Sequence, residues 1–260
     1  MTEIDLNADL GEGFGPWRMG EDEALLDVLS SANVACGFHA GDPLIMDRTV
    51  REARRRGVDI GAHVGFPDRQ GFGRRVMQME TAELEATVVY QLGALAGLAR
   101  RAGSRVTHMS FHGALGNMAA ADPALADKLV RAVAELDPSL TVLTSASRAI
   151  EGAARRHGLR ACVCFLADRA YDDEGLLVPR KLPGSVVEEP DAVMARVTRL
   201  LTDGTVVAHS GKVLSMPSAS ILLHGDTPGA LTLARAVRAA VEAAGARIVP
   251  LSHQAAGAVT

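Results

Sequence analysis

Short apolar segments alternate with longer amphipathic segments along all 260 residues of the chain. The short segments have the length and side chains of β-strands, and the longer ones repeat their apolar positions at helical spacing. Two helix starts are marked by an aspartate followed by a proline, at Asp42-Pro43 and Asp122-Pro123. Strands are predicted at 4–10, 32–36, 58–62, 105–110, 140–144, 160–166, 219–223 and 246–251, and helices at 21–29, 43–56, 81–102, 123–136, 146–157, 191–202 and 228–244.

This order corresponds to seven or eight βα units and calls for a parallel sheet with right-handed crossovers. Periodicity alone does not separate a closed barrel from an open doubly wound sheet. No low-complexity linker divides the chain, so we predict one domain over 1–252 and a loose tail over 253–260. The segment 205–216 is expected to be a hairpin or an inserted strand.

The first predicted strand carries three polar residues on one face. Asp5, Asn7 and Asp9 alternate with aliphatic residues, so all three point to the same side of the strand. A strand in a parallel sheet is usually apolar on both faces. The pattern favours a strand that lines a polar interior or pocket over an edge strand with one solvent-exposed face.

Histidines and aspartates recur just beyond the carboxyl ends of predicted strands. Each of the four histidines in this position has a glycine within two residues after it. In βα folds these strand ends converge on one face, where binding and chemistry occur. We therefore expect six side chains to meet at one mouth: Asp9, His39, His63, His112, Asp168 and His224.

Histidine and aspartate together suggest two chemistries. They could bind a divalent metal that activates water, with Asp9, His63 and His112 as candidate ligands. They could also act as general acid and base without a metal. No HExxH, CxxC or EF-hand spacing is present, so both remain open. His108 lies inside a predicted strand and is interpreted as a core residue.

The sequence contains no phosphate-binding loop of the GxxxxGK[ST] type, so it predicts no independent nucleotide site. Basic side chains do occur in the predicted long loops 63–76 and 168–189. Glycine-rich loops with paired arginines could clamp a carboxylate or a phosphate. The candidates for such an anion site are Arg74, Arg75, Arg169 and Arg180.

Charge and composition exclude several classes of protein. Lys and Arg total 27 against 31 Asp and Glu, a net charge of −4, so nothing drives the chain toward nucleic acid or anionic membranes. No apolar run approaches the ~20 residues that span a bilayer. The amino terminus shows neither the basic nor the apolar part of a secretory signal. With three cysteines that lack zinc spacing, the expectation is a protein of the reducing cytoplasm.

Seven segments, in order, resemble the LamB/YcsF family, which includes the A subunit of bacterial 5-oxoprolinases. The most specific segment is NVACGFHAGDP at 33–43. The resemblance covers nearly the whole chain, from about residue 3 to residue 250. The other matching segments lie at 5–12, 61–75, 112–115, 167–171, 178–180 and 224–228.

The resemblance implies a distorted seven-stranded β/α barrel, similar to those of glycoside hydrolases and carbohydrate deacetylases. It also implies ATP-dependent opening of the 5-oxo-L-proline lactam to L-glutamate, within a complex that contains two partner subunits. The ATP site would then be completed by those partners. Whether the chain also forms a homo-oligomer is left open.

We hypothesise the following roles for the candidate residues. Asp9, His63 and His112 would form the acid/base or metal cluster, with Asp168 as a further catalytic group. His39 and the pair His224 and Asp226 would complete it from neighbouring strands. Substrate would be held by Asn7, Arg74, Arg75, Arg169 and Arg180.

The sequence departs from the family pattern in three segments. Ser110 and Phe111 stand where a Lys-Pro pair is usual, Gly116 stands where a tyrosine is usual, and Cys164 replaces a glutamate. These departures keep two alternatives open beside 5-oxoprolinase. One is a metal-dependent amidohydrolase or deacetylase that acts on another amide or lactam without ATP, and the other is a binding subunit without catalysis.

Overall fold

A ring of parallel strands forms the centre of the computed structural model, which describes residues 2–226 and 229–254. The strands of the described residues are β1 (Glu3–Leu10), β2 (Ser31–Ala35), β3 (Asp59–Val64), β4 (Val106–Phe111), β5 (Thr141–Thr144), β6 (Arg160–Leu166), β7 (Thr205–Val207), β8 (Val213–Ser215), β9 (Ser220–His224) and β10 (Arg247–Ile248), of which β7, β8 and β10 lie outside this ring. Strand β1 pairs with both β2 and β9, which closes seven strands into a barrel. The predicted seven-stranded β/α barrel is confirmed, and the open sheet is excluded.

Helices cover the outside of this barrel. The predicted helices are confirmed with small shifts of their ends, and 205–216 is the hairpin of β7 and β8. The predicted strand at 246–251 shortens to two residues. One helix, α4, was not predicted, because its run of glycine and alanine shows no amphipathic stripe. The helices are α1 (Asp22–Leu26), α2 (Pro43–Arg56), α3 (Thr81–Arg101), α4 (Gly113–Ala121), α5 (Pro123–Leu136), α6 (Arg148–Arg156), α7 (Pro190–Asp203) and α8 (Ala230–Ala243).

The start of α2 shows how the sequence sets a helix boundary beside the barrel mouth. Asp42 Oδ1 accepts the backbone N–H groups of Leu44 at 2.8 Å and Ile45 at 3.0 Å, which would otherwise lack partners. At the other end, Gly57 adopts a left-handed φ of 69° and terminates the helix. The segment that precedes α2 carries His39, so this cap helps to fix where that histidine lies.

The polar face of β1 points into the barrel. Asn7 Nδ2 donates to Asn33 Oδ1 at 3.3 Å, and Asn33 Nδ2 donates to Asp9 Oδ1 at 2.9 Å. Asp5 accepts hydrogen bonds from the hydroxyls of Ser30 at 2.7 Å and Ser220 at 2.6 Å. All three polar residues of β1 are buried. The predicted polar interior is confirmed, and the edge-strand alternative is wrong.

Asp5 places a carboxyl group in the closed end of the barrel, and burial raises its pKa to about 6, although serine hydroxyls act in the opposite direction. In the unfolded chain the group titrates near 3.8, so the folded state retains the proton between these two pH values. Stability therefore falls as pH rises through this window, by about 3 kcal/mol in total. Asp5→Asn is expected to increase the free energy of unfolding at pH 7.5, with a smaller gain at pH 4.5, measured by urea unfolding.

The matched control for this prediction is Asp203→Asn, which neutralises an exposed aspartate at the end of α7. It is expected to change stability by less than about 0.5 kcal/mol at both pH values. An Asp5→Asn gain of the same size at pH 4.5 and 7.5 would show that burial of the Asp5 charge is not its source.

The chain returns to the closed end of the barrel after β10. Residues Leu251–His253 form a 3₁₀ helix, and Gln254 is buried, with its Nε2 donating to the Ala219 carbonyl at 2.9 Å. The rest of the predicted tail, 255–260, lies outside the described residues. Within the described ranges, every helix is too short or too polar to cross a bilayer.

Candidate active site

Three histidines at or beyond the carboxyl ends of β2, β3 and β4 meet with one glutamate at the open end of the barrel. Ligand atoms of Glu12, His39, His63 and His112 all lie within 4.8 Å of one another, and all four residues are buried. His39 and His112 stack with ring centroids 3.8 Å apart. The prediction that these histidines meet at one end of the fold is confirmed, although His63 lies within β3 and not beyond it. The sequence prediction gave Glu12 no role.

The loop after β3 is shaped to hold the cluster. Phe72 adopts a left-handed φ of 53°, an unusual conformation for a residue with a side chain. This conformation lets its carbonyl oxygen accept from His112 Nε2 at 2.8 Å. At Gly73, a Cβ atom would lie 2.7 Å from His39 and 2.8 Å from His112. Only glycine therefore allows the loop to pack this closely on two of the imidazoles.

Hydrogen bonds set the protonation of this cluster. A carbonyl oxygen only accepts, so His112 Nε2 carries the proton that the Phe72 oxygen receives, and His112 Nδ1 is left with a lone pair. His63 Nε2 lies 2.8 Å from that lone pair and donates to it. The remaining nitrogen, His63 Nδ1, accepts from the Ser110 hydroxyl at 2.6 Å. Ser110, at a position that departs from the family pattern, is thus a direct partner of His63.

Asp9 lies beside the cluster at the end of β1. Its Oδ2 is 3.4 Å from His63 Nε2, and its Oδ1 accepts from Asn33 at 2.9 Å. Burial would raise the pKa of Asp9, but His63, His224 and the Asn33 amide together more than offset this and hold that pKa below its ordinary value. Asp9 is therefore ionised at neutral pH, and it lines the cavity described below.

Burial favours the uncharged forms of Glu12, His39 and His112. The pKa of Glu12 is raised well above its ordinary value, first by burial and then by the charge of Asp9. Burial also lowers the pKa of both His39 and His112 well below the ordinary range, and neighbouring imidazoles lower it further. His39 Nε2 lies 3.3 Å from Glu12 Oε1. Among the described residues, His39 Nδ1 has no hydrogen-bond partner.

A second group of side chains lies next to Asp9 at the open end of the barrel, because His224 of β9 pairs in register with Asp9 of β1. Asp168 accepts from His224 Nδ1 at 2.7 Å, and Arg180 donates to His224 Nε2 at 3.1 Å. Arginine only donates, so the imidazole is neutral in this arrangement, with its proton on Nδ1. Burial opposes protonation of His224, but Asp168 more than offsets it and raises the pKa of this histidine. Protonation at Nε2 requires Arg180 to move away.

The four predicted anion-binding arginines lie in different surroundings. Arg74 forms an ion pair with Asp226 at 3.0 Å on the rim, and Arg180 contacts His224. Arg75 pairs with Asp68 through two of its guanidinium nitrogens. Arg169 is buried, and it donates to the backbone carbonyls of loop residues at 3.1 and 2.7 Å. All four guanidinium groups therefore already have partners within the chain.

A cavity of about 550 Å³ opens beside Asp9 and the second group. Asp9, His63 and His224 are among its polar lining residues, and a group of apolar side chains forms a further wall. Cys164 belongs to that wall and is buried, so the departure from glutamate at this position makes the wall apolar. A volume of this size suits a small organic molecule with one polar and one apolar side. The wall is formed by Leu143, Cys164, Leu166 and Leu222.

A model of the LamB/YcsF family matches residues 4–256. The chain belongs to the LamB/YcsF family. One relative within this family is 67% identical over 97% of this chain and 97% of its own length, and it is named as 5-oxoprolinase A subunit 2 of Ralstonia nicotianae. Another, 5-oxoprolinase A subunit 1 of Pseudomonas syringae pv. tomato, is 65% identical over 96% of this chain and 98% of its own length.

A solved structure shows the same fold. The lactam utilization protein from Thermus thermophilus is 38% identical, with a TM-score of 0.89 over 96% of this chain and 100% of its own. The backbone of the two chains is therefore similar over nearly the whole length of both.

Proposed function

We propose that this chain is the subunit of a 5-oxoprolinase in which the lactam of 5-oxo-L-proline is opened. One observation carries the proposal: Asp9 and His224, neighbours on the paired strands β1 and β9, both line one cavity, in a chain 67% identical to a relative named as a 5-oxoprolinase A subunit. The cavity also combines the polar and apolar lining that a ring with a carboxylate, an amide and methylene groups requires.

The reaction needs one proton acceptor and one proton donor, and two different side chains would serve in these roles. Asp9 is ionised and accepts the proton of the attacking water, while His224, whose pKa Asp168 raises, donates a proton to the ring nitrogen. A bond forms between the water oxygen and the carbonyl carbon, and the bond from that carbon to the nitrogen breaks. The product carries a second carboxylate and a free amine, as glutamate does.

The substrate carboxylate would bind at the rim through Arg180. This arginine is held to His224 by one hydrogen bond of 3.1 Å, and a carboxylate is a stronger acceptor for a guanidinium group than an imidazole. When Arg180 binds the substrate carboxylate instead, His224 Nε2 would be free to take up the proton that catalysis needs. Arg74 would assist from the ion pair with Asp226.

ATP and the partner subunits complete the proposal. The sequence lacks a phosphate loop, so we assign the nucleotide site to a surface that partner subunits complete. The names of the relatives, each an A subunit, imply assemblies with further subunits. The test combines this chain with the cognate partner subunits, omits each in turn, and measures ATP-dependent glutamate formation from 5-oxoproline. Turnover without this chain, or none with all subunits folded and present, would overturn the proposal.

A divalent metal fits the cluster of Glu12, His39, His63 and His112. Three imidazoles and one carboxylate form a donor set that Zn²⁺ prefers, and His112 donates its second nitrogen to a backbone carbonyl, as metal-bound histidines do. The Ser110 hydroxyl can accept as well as donate, so it also suits the His63 tautomer that offers Nε2 to a metal. When bound, the ion would polarise the lactam carbonyl or lower the pKa of water.

Metal content gives a prediction that does not depend on activity. Protein purified without chelators is expected to hold about one divalent ion per chain, and His112→Gln is expected to lose it, as measured by mass spectrometry of the metal. Added Zn²⁺ should raise the Tm of the wild-type chain but not that of the variant. The matched control is His157→Gln, which changes a histidine on the outer surface near Asp127.

Equal metal content in wild type and His112→Gln would show that the cluster is not a metal site. The two open alternatives lead to different results. Amide hydrolysis without ATP would identify an amidohydrolase or deacetylase, and substrate binding without turnover would identify a binding subunit. The names of the relatives favour 5-oxoprolinase over both.

A further inference from the structure

A line of buried polar side chains leads away from Asp9 into the barrel. Asn33 Nδ2 donates to Asp9 Oδ1 at 2.9 Å, Asn33 Oδ1 lies 3.1 Å from His108 Nε2, and His108 Nδ1 lies 2.9 Å from Thr107 Oγ1. Asp9, Asn33 and His108 are all buried. The line crosses from β1 through β2 to β4 and passes over β3 at Gly61. No step of the proposed reaction uses it.

The donor and acceptor atoms of these side chains fix the direction of each hydrogen bond in the line. A carboxylate only accepts, so the Asn33 amide nitrogen must face Asp9, and the Asn33 oxygen must face His108. His108 Nε2 lies 3.1 Å from that oxygen and carries the proton, because two facing lone pairs would repel each other. Burial lowers the pKa of His108 to about 4, so the ring is neutral and its Nδ1 accepts from the Thr107 hydroxyl at 2.9 Å, which is shorter than the 3.3 Å from that hydroxyl to the Ile60 carbonyl. Each member thereby fixes the orientation of the next.

The backbone is adapted to admit the His108 ring. A Cβ atom at position 61 would lie 2.1 Å from His108 Nε2, so only glycine leaves room for the imidazole. The register between β3 and β4 shifts at the same point, between Ile60 and Gly61. Asn7 Nδ2 also donates to Asn33 Oδ1 at 3.3 Å. The Asn33 amide is therefore held by three partners, and it cannot turn without breaking bonds to each.

We propose that His108 and Asn33 are positioning residues that fix the orientation of the Asp9 carboxylate through this one-directional chain of hydrogen bonds. The proposal rests on the proposed function only for the role of Asp9 as proton acceptor. With Oδ1 occupied by Asn33, Oδ2 is the oxygen left to face His63 and the cavity. The chain thus selects which carboxylate oxygen meets the substrate.

The direction of the chain is tested without any assay of activity. Nitrogen-15 NMR of the full chain with labelled histidine reports which ring nitrogen of His108 carries the proton. The expected result is a neutral ring with the proton on Nε2 from pH 6 to pH 8. A proton on Nδ1 would reverse the chain and overturn the proposal.

Kinetics test the consequence for Asp9. His108→Phe and Gly61→Ala are each expected to lower kcat for 5-oxoproline by about 10–100-fold with little change in KM, because the substrate still binds but Asp9 is displaced. His108→Gln retains an amide donor and is expected to recover most of kcat. Gly93→Ala is the matched control, because a Cβ there meets no atom within 4 Å, and it is expected to leave kcat unchanged.

Crystal structures of the variants separate this proposal from the proposed function. If the wild-type complex shows no turnover, the proposed function fails, and the structure of His108→Phe still decides whether the Asn33 amide and Asp9 turn. An unchanged Asp9 in that structure, or an unchanged kcat in an active complex, would overturn the positioning role. If the variants unfold, as circular dichroism would show, His108→Gln and the wild-type NMR spectrum remain decisive.

Discussion

Asp9→Asn is expected to lower kcat of the assembled 5-oxoprolinase by about 10²–10⁴-fold, the range for loss of a general base. Asparagine has the same shape, and its oxygen can still accept from Asn33, so the barrel interior is retained. What is lost is the ionised oxygen 3.4 Å from His63 Nε2. The measurement is steady-state glutamate formation at saturating 5-oxoproline and ATP, with circular dichroism to confirm folding.

Asp42→Asn is the control for this substitution. Asp42 caps α2 outside the 550 Å³ cavity, and asparagine caps a helix as well as aspartate does. Its kcat is expected to stay near that of the wild type. An Asp9→Asn enzyme that is folded and within tenfold of wild type would rule out Asp9 as the proton acceptor.

His224→Gln is expected to reduce kcat by a similar factor, about 10²–10⁴-fold, because glutamine cannot donate a proton to the ring nitrogen. Asp168→Asn should have a smaller effect on kcat but should change its pH dependence. The rate falls as pH rises through the pKa of His224, and Asp168 raises that pKa. Removal of the Asp168 charge is therefore expected to move the alkaline limb of the kcat profile to lower pH.

A second histidine–aspartate pair in the same chain serves as the control. His157 and Asp127 lie 3.0 Å apart on the outer surface, so His157→Gln and Asp127→Asn alter the same residue types away from the mouth. Neither is expected to change kcat or its pH profile. An alkaline limb that stays in place in Asp168→Asn would exclude His224 as the acid.

Periodicity and turn chemistry are sufficient to predict the alternating strands and helices, whereas the barrel was expected from the resemblance. The alternation of apolar and amphipathic segments defines the βα units, and the placement of histidines after strands predicts their meeting, because parallel strand ends share one face. The polar face of β1 likewise follows from alternation alone. Closure into a ring does not, because it depends on the pairing of β1 with β9, which are 215 residues apart from Asp5 to Ser220.

The parts of the site that sequence reasoning missed depend on contacts between distant segments. Glu12 stands between two glycines just beyond β1, and a polar residue in such a turn was the available signal. His108 and Asn33 lie within strands, and their pairing requires the space at Gly61. Arg169 was predicted to bind substrate, a role that stays a prediction, while its contacts with backbone carbonyls have no local signature.

Both described ends of the chain lie at the closed end of the barrel. The Thr2 carbonyl accepts from Arg247 N at 2.9 Å, and Gln254 contacts Ala219 just before β9 begins. The candidate site is at the opposite end, where the strands finish. A tether attached at either of these described ends would therefore lie opposite the candidate site. Partner subunits could then bind immobilised protein at the open end of the barrel, where catalysis is proposed.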